Sequence, residues 1–86
     1  MSSTVTTATT VTRRGISMLR AVAAGRGRLT CSSEPDLFVD GLPCSDQFTA
    51  HALAHAGLLR ASEPGPLGQP VPAVLTPAGE ALLAAA

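Results

Sequence analysis

The sequence lacks several residue types, and each absence narrows what the chain can be. It has no tryptophan, no tyrosine and only two phenylalanines among its 86 residues. We therefore expect a core of leucine, valine and alanine that depends on close helix packing, because large aromatic anchors are missing. Lysine and asparagine are also absent, whereas alanine, glycine, proline and arginine are abundant. This bias is typical of proteins from GC-rich bacterial genomes.

Long apolar runs are absent as well. No stretch approaches the roughly 20 apolar residues that a membrane-spanning helix needs. The opening stretch, "MSSTVTTATTVT", lacks both the basic start and the apolar run of a secretory signal. We expect a cytoplasmic protein with no membrane contact, in which Cys31 and Cys44 stay reduced. A chain of this length fits one small domain with a thin core.

The net charge of zero hides an asymmetry along the chain. Residues 1–28 hold five arginines and no acid, whereas residues 29–86 hold all six acids and a single base, Arg60. This division favours a polar partner on one side of the protein. Solvated charges that cluster by chance are the alternative, and composition alone leaves both open.

The N-terminal part of the chain predicts a tail and then a helix. Residues 1–12 are rich in serine and threonine and contain little to bury, so we expect a disordered tail and a folded domain over residues 13–86. Thr12 is placed to cap a helix over about 13–25, in which apolar residues recur at helical spacing.

The stretch after this helix is ambiguous. Arg28–Cys31 favours a brief strand. Ser33 and Asp36 form a capping-box pattern, which predicts a short helix ending at Gly41. A strand through Leu37–Val39 is the alternative.

A second helix is predicted over about 46–56, with Ser45 as its N-cap and Gly57 as its stop. A helical projection assigns one set of residues to the core: Phe48, Ala52, Leu53 and Ala56. It assigns another set to an exposed face of small and polar residues: Gln47, Ala50, His51 and Ala54.

The last third of the chain predicts a hairpin and a closing helix. The hairpin spans about 60–75 and has a tip rich in proline and glycine, and Pro72 suggests that its second strand lies at an edge of a sheet. Thr76 and Pro77 then begin a helix, with Thr76 as the cap and Pro77 at the first helical position.

This order of elements, with the stretches "HALAHAGLLR" and "LTPAGEALL", resembles small bacterial winged helix-turn-helix regulators of the GC-rich actinobacterial type. In such proteins a recognition helix ends in glycine and two apolar residues, and a wing then leads to a Leu-Thr-x-x-Gly exit. The resemblance implies an α+β fold with three to four helices and a small antiparallel β-hairpin wing. It also implies DNA binding in transcription regulation.

The resemblance places the helix over 46–56 in the major groove, with Gln47 contacting adenine and His51 a base or a phosphate. The arginines near the N-terminus would neutralise phosphates. The full set of predicted DNA-binding residues is Arg13, Arg14, Arg20, Gln47, Ala50, His51, Ala54 and Arg60.

A protein–protein adaptor without nucleic-acid contact is the alternative function, in which the small-residue face of the same helix docks a partner. The helix over 46–56 carries no arginine or lysine, and neither does the wing from Ser62 to Pro70. Most DNA-binding members of this class carry such residues in both elements. If Arg13, Arg14 and Arg20 share the face of Gln47 and His51, DNA is favoured. If they lie on the opposite side, the adaptor is favoured.

Catalysis, cofactors and metals find little support in the sequence. No nucleophile–base–acid order and no glycine-rich phosphate loop is recognisable, so we expect no enzyme and no cofactor. The candidate zinc ligands are Cys31, Cys44, His51 and His55, but they lack a Cys-x2-Cys pair and we expect no metal. Base stacking is not expected either, because both phenylalanines are assigned to the core.

Overall fold

Three helices lie against one face of a five-stranded antiparallel sheet in the computed structural model, which describes residues 11–86. The strand order is β3-β2-β1-β5-β4. In chain order the elements are α1 (Arg13–Ala23), β1 (Gly27–Thr30), β2 (Leu37–Val39), β3 (Leu42–Pro43), α2 (Gln47–His55), β4 (Leu59–Ala61), β5 (Pro70–Leu75) and α3 (Pro77–Ala85). The predicted α+β class is confirmed. Residues 1–10 of the predicted tail lie outside the described residues.

Helix α1 begins and ends where its sequence predicts. The Thr12 hydroxyl accepts a hydrogen bond from the Gly15 amide at 3.1 Å, which satisfies one of the free donors of the first turn. At the other end Gly25 has a φ of +81°, a left-handed conformation that stops the helix.

The segment after β1 forms a β-hairpin and not a helix. Leu37–Val39 pairs antiparallel with β1 on one side and with β3 on the other. Asp40 and Gly41 have φ values of +55° and +82° between the paired residues Val39 and Leu42, which is the geometry of a type I′ turn. The predicted short helix was therefore wrong, and the alternative strand is confirmed.

Helix α2 lies within the predicted range, but its cap differs. Asp46, rather than Ser45, is the N-cap, and its carboxylate accepts a hydrogen bond from the Thr49 amide at 3.0 Å. Gly57, with a φ of +73°, follows the helix as expected.

The hairpin of β4 and β5 and the closing helix α3 are also present. The Thr76 hydroxyl accepts a hydrogen bond from the Gly79 amide at 3.0 Å, and Pro77 occupies the first turn. Strand β5 is not an edge strand, because it lies between β1 and β4. Pro72 is tolerated in this inner strand because it lies opposite the end of β4. Its carbonyl accepts a hydrogen bond from the Ser62 amide at 2.8 Å, and the second bond of such a pair is missing because proline has no N–H.

The core is built from aliphatic side chains on the helix side of the sheet. Leu19, Leu29 and Leu37 are the largest side chains that are completely buried, and neither phenylalanine is among the buried residues. Such a core depends on close approach of the backbones. None of the helices in residues 11–86 has the length and apolar character needed to cross a membrane.

Gly79 marks the closest of these approaches. A Cβ atom at this position would collide with the backbone carbonyl of Leu58, which is not a flexible side-chain end that can move away. The contact joins α3 to the segment that leads into β4.

We expect Gly79→Ala to lower the free energy of unfolding by about 1–3 kcal/mol, because the methyl group forces α3 away from Leu58. Helix propensity alone predicts the opposite sign, a gain of roughly 1 kcal/mol. Urea unfolding followed by circular dichroism measures the difference. A stabilised variant would show that α3 does not pack here.

Candidate functional site

The face of α2 that meets solvent is the one predicted to lie in the core. Phe48 is 85% exposed, whereas Ala50 is 0% and Leu53 is 3% exposed. Ala52 is also exposed, and Ala54 packs partly against the core. The prediction that Leu53 is buried is confirmed, whereas the predicted helical phase was wrong for five residues: Phe48, Ala50, Ala52, Ala54 and Ala56. We call the solvent side, formed by Phe48, Ala52 and His55, the outer face of α2.

Gln47 explains this orientation. Its side-chain oxygen accepts from the Leu37 amide at 2.9 Å. Its side-chain nitrogen donates to the Leu37 carbonyl at 2.9 Å and to the Cys44 carbonyl at 2.8 Å. Both N–H groups of the amide are used, so Gln47 has no donor left for a base edge. Its predicted role as an adenine contact conflicts with this structural role.

Arg14 contacts the other flank of α2. Its guanidinium donates to the Asp46 carboxylate at 3.1 Å. The hydroxyl and the amide of Thr49 bond the same carboxylate, and these bonds, followed by Arg14, hold the pKa of Asp46 below its ordinary value. Arg14 is therefore engaged at the start of α2 and does not share the side of Gln47.

His51 and His55 lie beside two carboxylates of the loop between β1 and β2. His51 places one ring nitrogen 2.9 Å from Asp36 and the other 3.2 Å from Glu34. His55 lies 3.0 Å from the second oxygen of Glu34. An incoming phosphate would meet both carboxylates here. This flank of α2 is therefore unfavourable for a nucleic-acid backbone and favourable for a cationic group.

The remaining arginines are dispersed over the surface. Arg13 and Arg20 are exposed on α1, two turns apart, and Arg60 is exposed on β4. None of these three forms an ion pair with a carboxylate of residues 11–86. The predicted DNA-binding residues are thus not gathered on one surface: Ala50 is buried, and Arg14 and Gln47 bond within the fold.

The four candidate zinc ligands do not form a common site. Cys31 and Cys44 are half-buried free thiols, and burial, with a smaller effect of Asp46, raises the pKa of Cys44. Within residues 11–86, no three histidine, cysteine or carboxylate side chains are arranged to hold a metal ion.

A groove continues from the C-terminal end of the outer face of α2. It is open to solvent, has a volume of about 610 Å³, and runs between the loop after β1 and the start of the β4–β5 connection. Its lining includes Cys31, Ala54, His55, Leu59 and Gly65. The lining of the groove also includes Arg60 and Glu63, so the surface next to the outer face carries charged as well as apolar groups.

Sequence reasoning missed Phe48 and Ala52 as surface residues. Comparison of the chain with protein-family models, with curated proteins and with solved structures found no match.

We expect Gln47→Ala to lower the free energy of unfolding by about 1–3 kcal/mol, because three hydrogen bonds between α2 and the β2–β3 hairpin are lost. His51→Ala is the matched control, since its contacts are at the surface and should contribute less than about 1 kcal/mol. Chemical denaturation of both variants measures the difference. A Gln47→Ala variant as stable as the parent would contradict the anchoring role.

Proposed function

We propose that this chain is a small winged-helix protein-interaction module that docks a partner protein through the outer face of α2. One observation supports the proposal. Phe48 is exposed on a helix whose orientation is fixed by the hydrogen bonds of Gln47. The partner offers an apolar pocket for Phe48 and basic groups at its rim.

The arrangement of elements supports a winged-helix organisation. Helix α1 and strand β1 precede α2, and the β4–β5 hairpin follows it, with β5 between β1 and β4. Helix α2 then corresponds to the recognition helix and the hairpin to the wing. The β2–β3 hairpin takes the place of the short helix that the sequence predicted.

An exposed aromatic residue on a rigid helix is well suited to anchor a protein interface. Phenylalanine is enriched in the centres of such interfaces, and burial of its side chain contributes roughly 1.5–3 kcal/mol. Ala52, one turn further along, is small and allows a partner surface to come close. Phe48 makes no packing contribution to the core of this domain.

The charges around α2 favour a protein over DNA at this surface. The helix contains no arginine or lysine, and Glu34 and Asp36 lie along its flank. Arg14 is bonded to Asp46 at the start of the helix. A partner with cations at the rim of its pocket complements these carboxylates, which also guides its approach.

We expect Phe48→Ala to abolish capture of the partner and to leave stability within about 0.5 kcal/mol of the parent, because the ring is 85% exposed and is not part of the core. Leu67→Ala is the matched control, since Leu67 is also 85% exposed but lies on the β4–β5 connection. Immobilised parent and variants are compared for the proteins they retain from a lysate of the source cells.

Ala52→Arg extends the test. It adds bulk and positive charge at the centre of the outer face and should also abolish capture. Equal retention of all proteins by the parent, Phe48→Ala and Ala52→Arg would refute docking through this face.

Binding of duplex DNA is a second candidate, favoured by the exposure of Arg13 and Arg20 on one side of α1 without carboxylate partners among residues 11–86. Neutralising both should flatten the salt dependence of binding to random duplex DNA by about two units of logarithmic slope. Arg14→Ala, the control, should change the slope less, because Asp46 already compensates its charge. Absence of duplex binding by the parent at low salt would end this candidate.

A further inference from the structure

The side of the sheet that faces away from the helices is largely open to solvent, with Phe38 half-buried and four other residues exposed: Arg28, Pro43, Arg60 and Pro72. Strand residues alternate between the two sides, and all the strand residues of the core cluster (Leu29, Leu37, Leu59 and Ala73) point to the helices. On the other side, direct cross-strand pairing places Pro43, Phe38, Arg28 and Pro72 in one row across four strands. Arg60 of β4 lies on this side too, opposite Val74. We call these five residues the outer sheet face.

The charge of this face is positive and uncompensated. Neither Arg28 nor Arg60 pairs with a carboxylate anywhere in residues 11–86. Arg60 donates one N–H to the Ala61 carbonyl at 3.0 Å, which leaves four of its five donors available. The ligand of this face must therefore be an anion.

We propose that the outer sheet face binds single-stranded nucleic acid, with a base stacked on Phe38 and phosphates bonded by Arg28 and Arg60. Surfaces that bind single strands combine an aromatic platform with cations that follow the backbone, and both are adjacent here. Arg28 lies directly opposite Phe38 in the sheet, so one nucleotide reaches both groups.

Other occupants fit this face less well. A second copy of the chain in face-to-face contact would bring arginines against arginines. A sheet of five strands is too wide for the major groove of duplex DNA, which admits a helix or a two-stranded ribbon.

An extended peptide usually adds to a sheet at its edge, and both edges are poorly suited to this. Strand β3 is two residues long and ends in Pro43, which has no N–H. At the other edge, the Ala61 carbonyl of β4 is already bonded by Arg60.

This inference is independent of the proposed docking through α2, because the two surfaces lie on opposite sides of the sheet. Phe48→Ala should leave binding of the single strand unchanged. If one proposal is refuted, the other is not affected.

The test is a fluorescence-anisotropy titration of the full chain with a labelled oligothymidylate of about 16 nucleotides, near the upper site size of a small binding module. With two phosphates neutralised, the logarithm of the binding constant should fall with the logarithm of salt concentration with a slope of about −1.4. Arg28→Gln combined with Arg60→Gln should remove this dependence. Phe38→Leu, which keeps an apolar side chain in the sheet, should weaken binding at least about fivefold.

The control for charge is Arg14→Gln combined with Arg26→Gln, which makes the same change of net charge at arginines that already pair with Asp46 and Asp40. It should retain binding of the single strand. Circular dichroism verifies that each variant is folded.

Three outcomes would overturn the proposal. One is absence of binding by the parent at low salt. Another is loss of binding in the Arg14 and Arg26 variant with retention in the Arg28 and Arg60 variant. The third is equal binding of an oligoglutamate peptide of matched charge, which would identify a surface for acidic proteins instead.

Discussion

The side-chain amide of Gln47 determines which surface this domain presents. Its three hydrogen bonds to Leu37 and Cys44 fasten α2 to the β2–β3 hairpin and set the rotation of the helix about its axis. Ala50 then faces the core and Phe48 faces solvent. The sequence predicted another rotation, in which Phe48 joins Leu53 in the core and small and polar residues form the surface. The exposure of Phe48 on α2 thus depends on one polar residue, Gln47.

Local chemistry made the starts of α1 and α3 predictable, whereas the cap of α2 was assigned one residue too early. Thr12 and Thr76 each bond the amide three residues later, and Pro77 needs no N–H in the first turn. The hairpin at Asp40–Gly41 carried an equally local signal, since Asp-Gly between apolar residues is typical of a type I′ turn. The capping-box pattern that precedes it competed with that signal. The pattern failed because the Asp36 amide bonds the Thr30 hydroxyl, which belongs to β1 and not to a helix.

The phase of α2 was not predictable from the helix alone. Alanine fits either a core or a surface, so only Phe48 and Leu53 carried information, and they lie about 140° apart on a helix of 3.6 residues per turn. Gln47 resembled a surface residue because its partners are backbone groups of a hairpin that was not recognised. An error in one element therefore changed the assignment in the next. The candidate site required the three-dimensional pairing of these elements, whereas the fold class did not.

The charge asymmetry of the sequence is also arranged differently in space. Arg14 and Arg26 belong to the basic segment, but they pair with Asp46 and Asp40, so much of the division between residues 1–28 and 29–86 is cancelled by folding. Among residues 11–86, Glu34 and Asp36 then lie beside α2, Arg13 and Arg20 remain unpaired on α1, and Arg28 and Arg60 remain unpaired on strands β1 and β4. Under the two proposals above, a cationic protein at α2 and a nucleic acid at Arg28 and Arg60 are attracted by opposite charges on different parts of the domain.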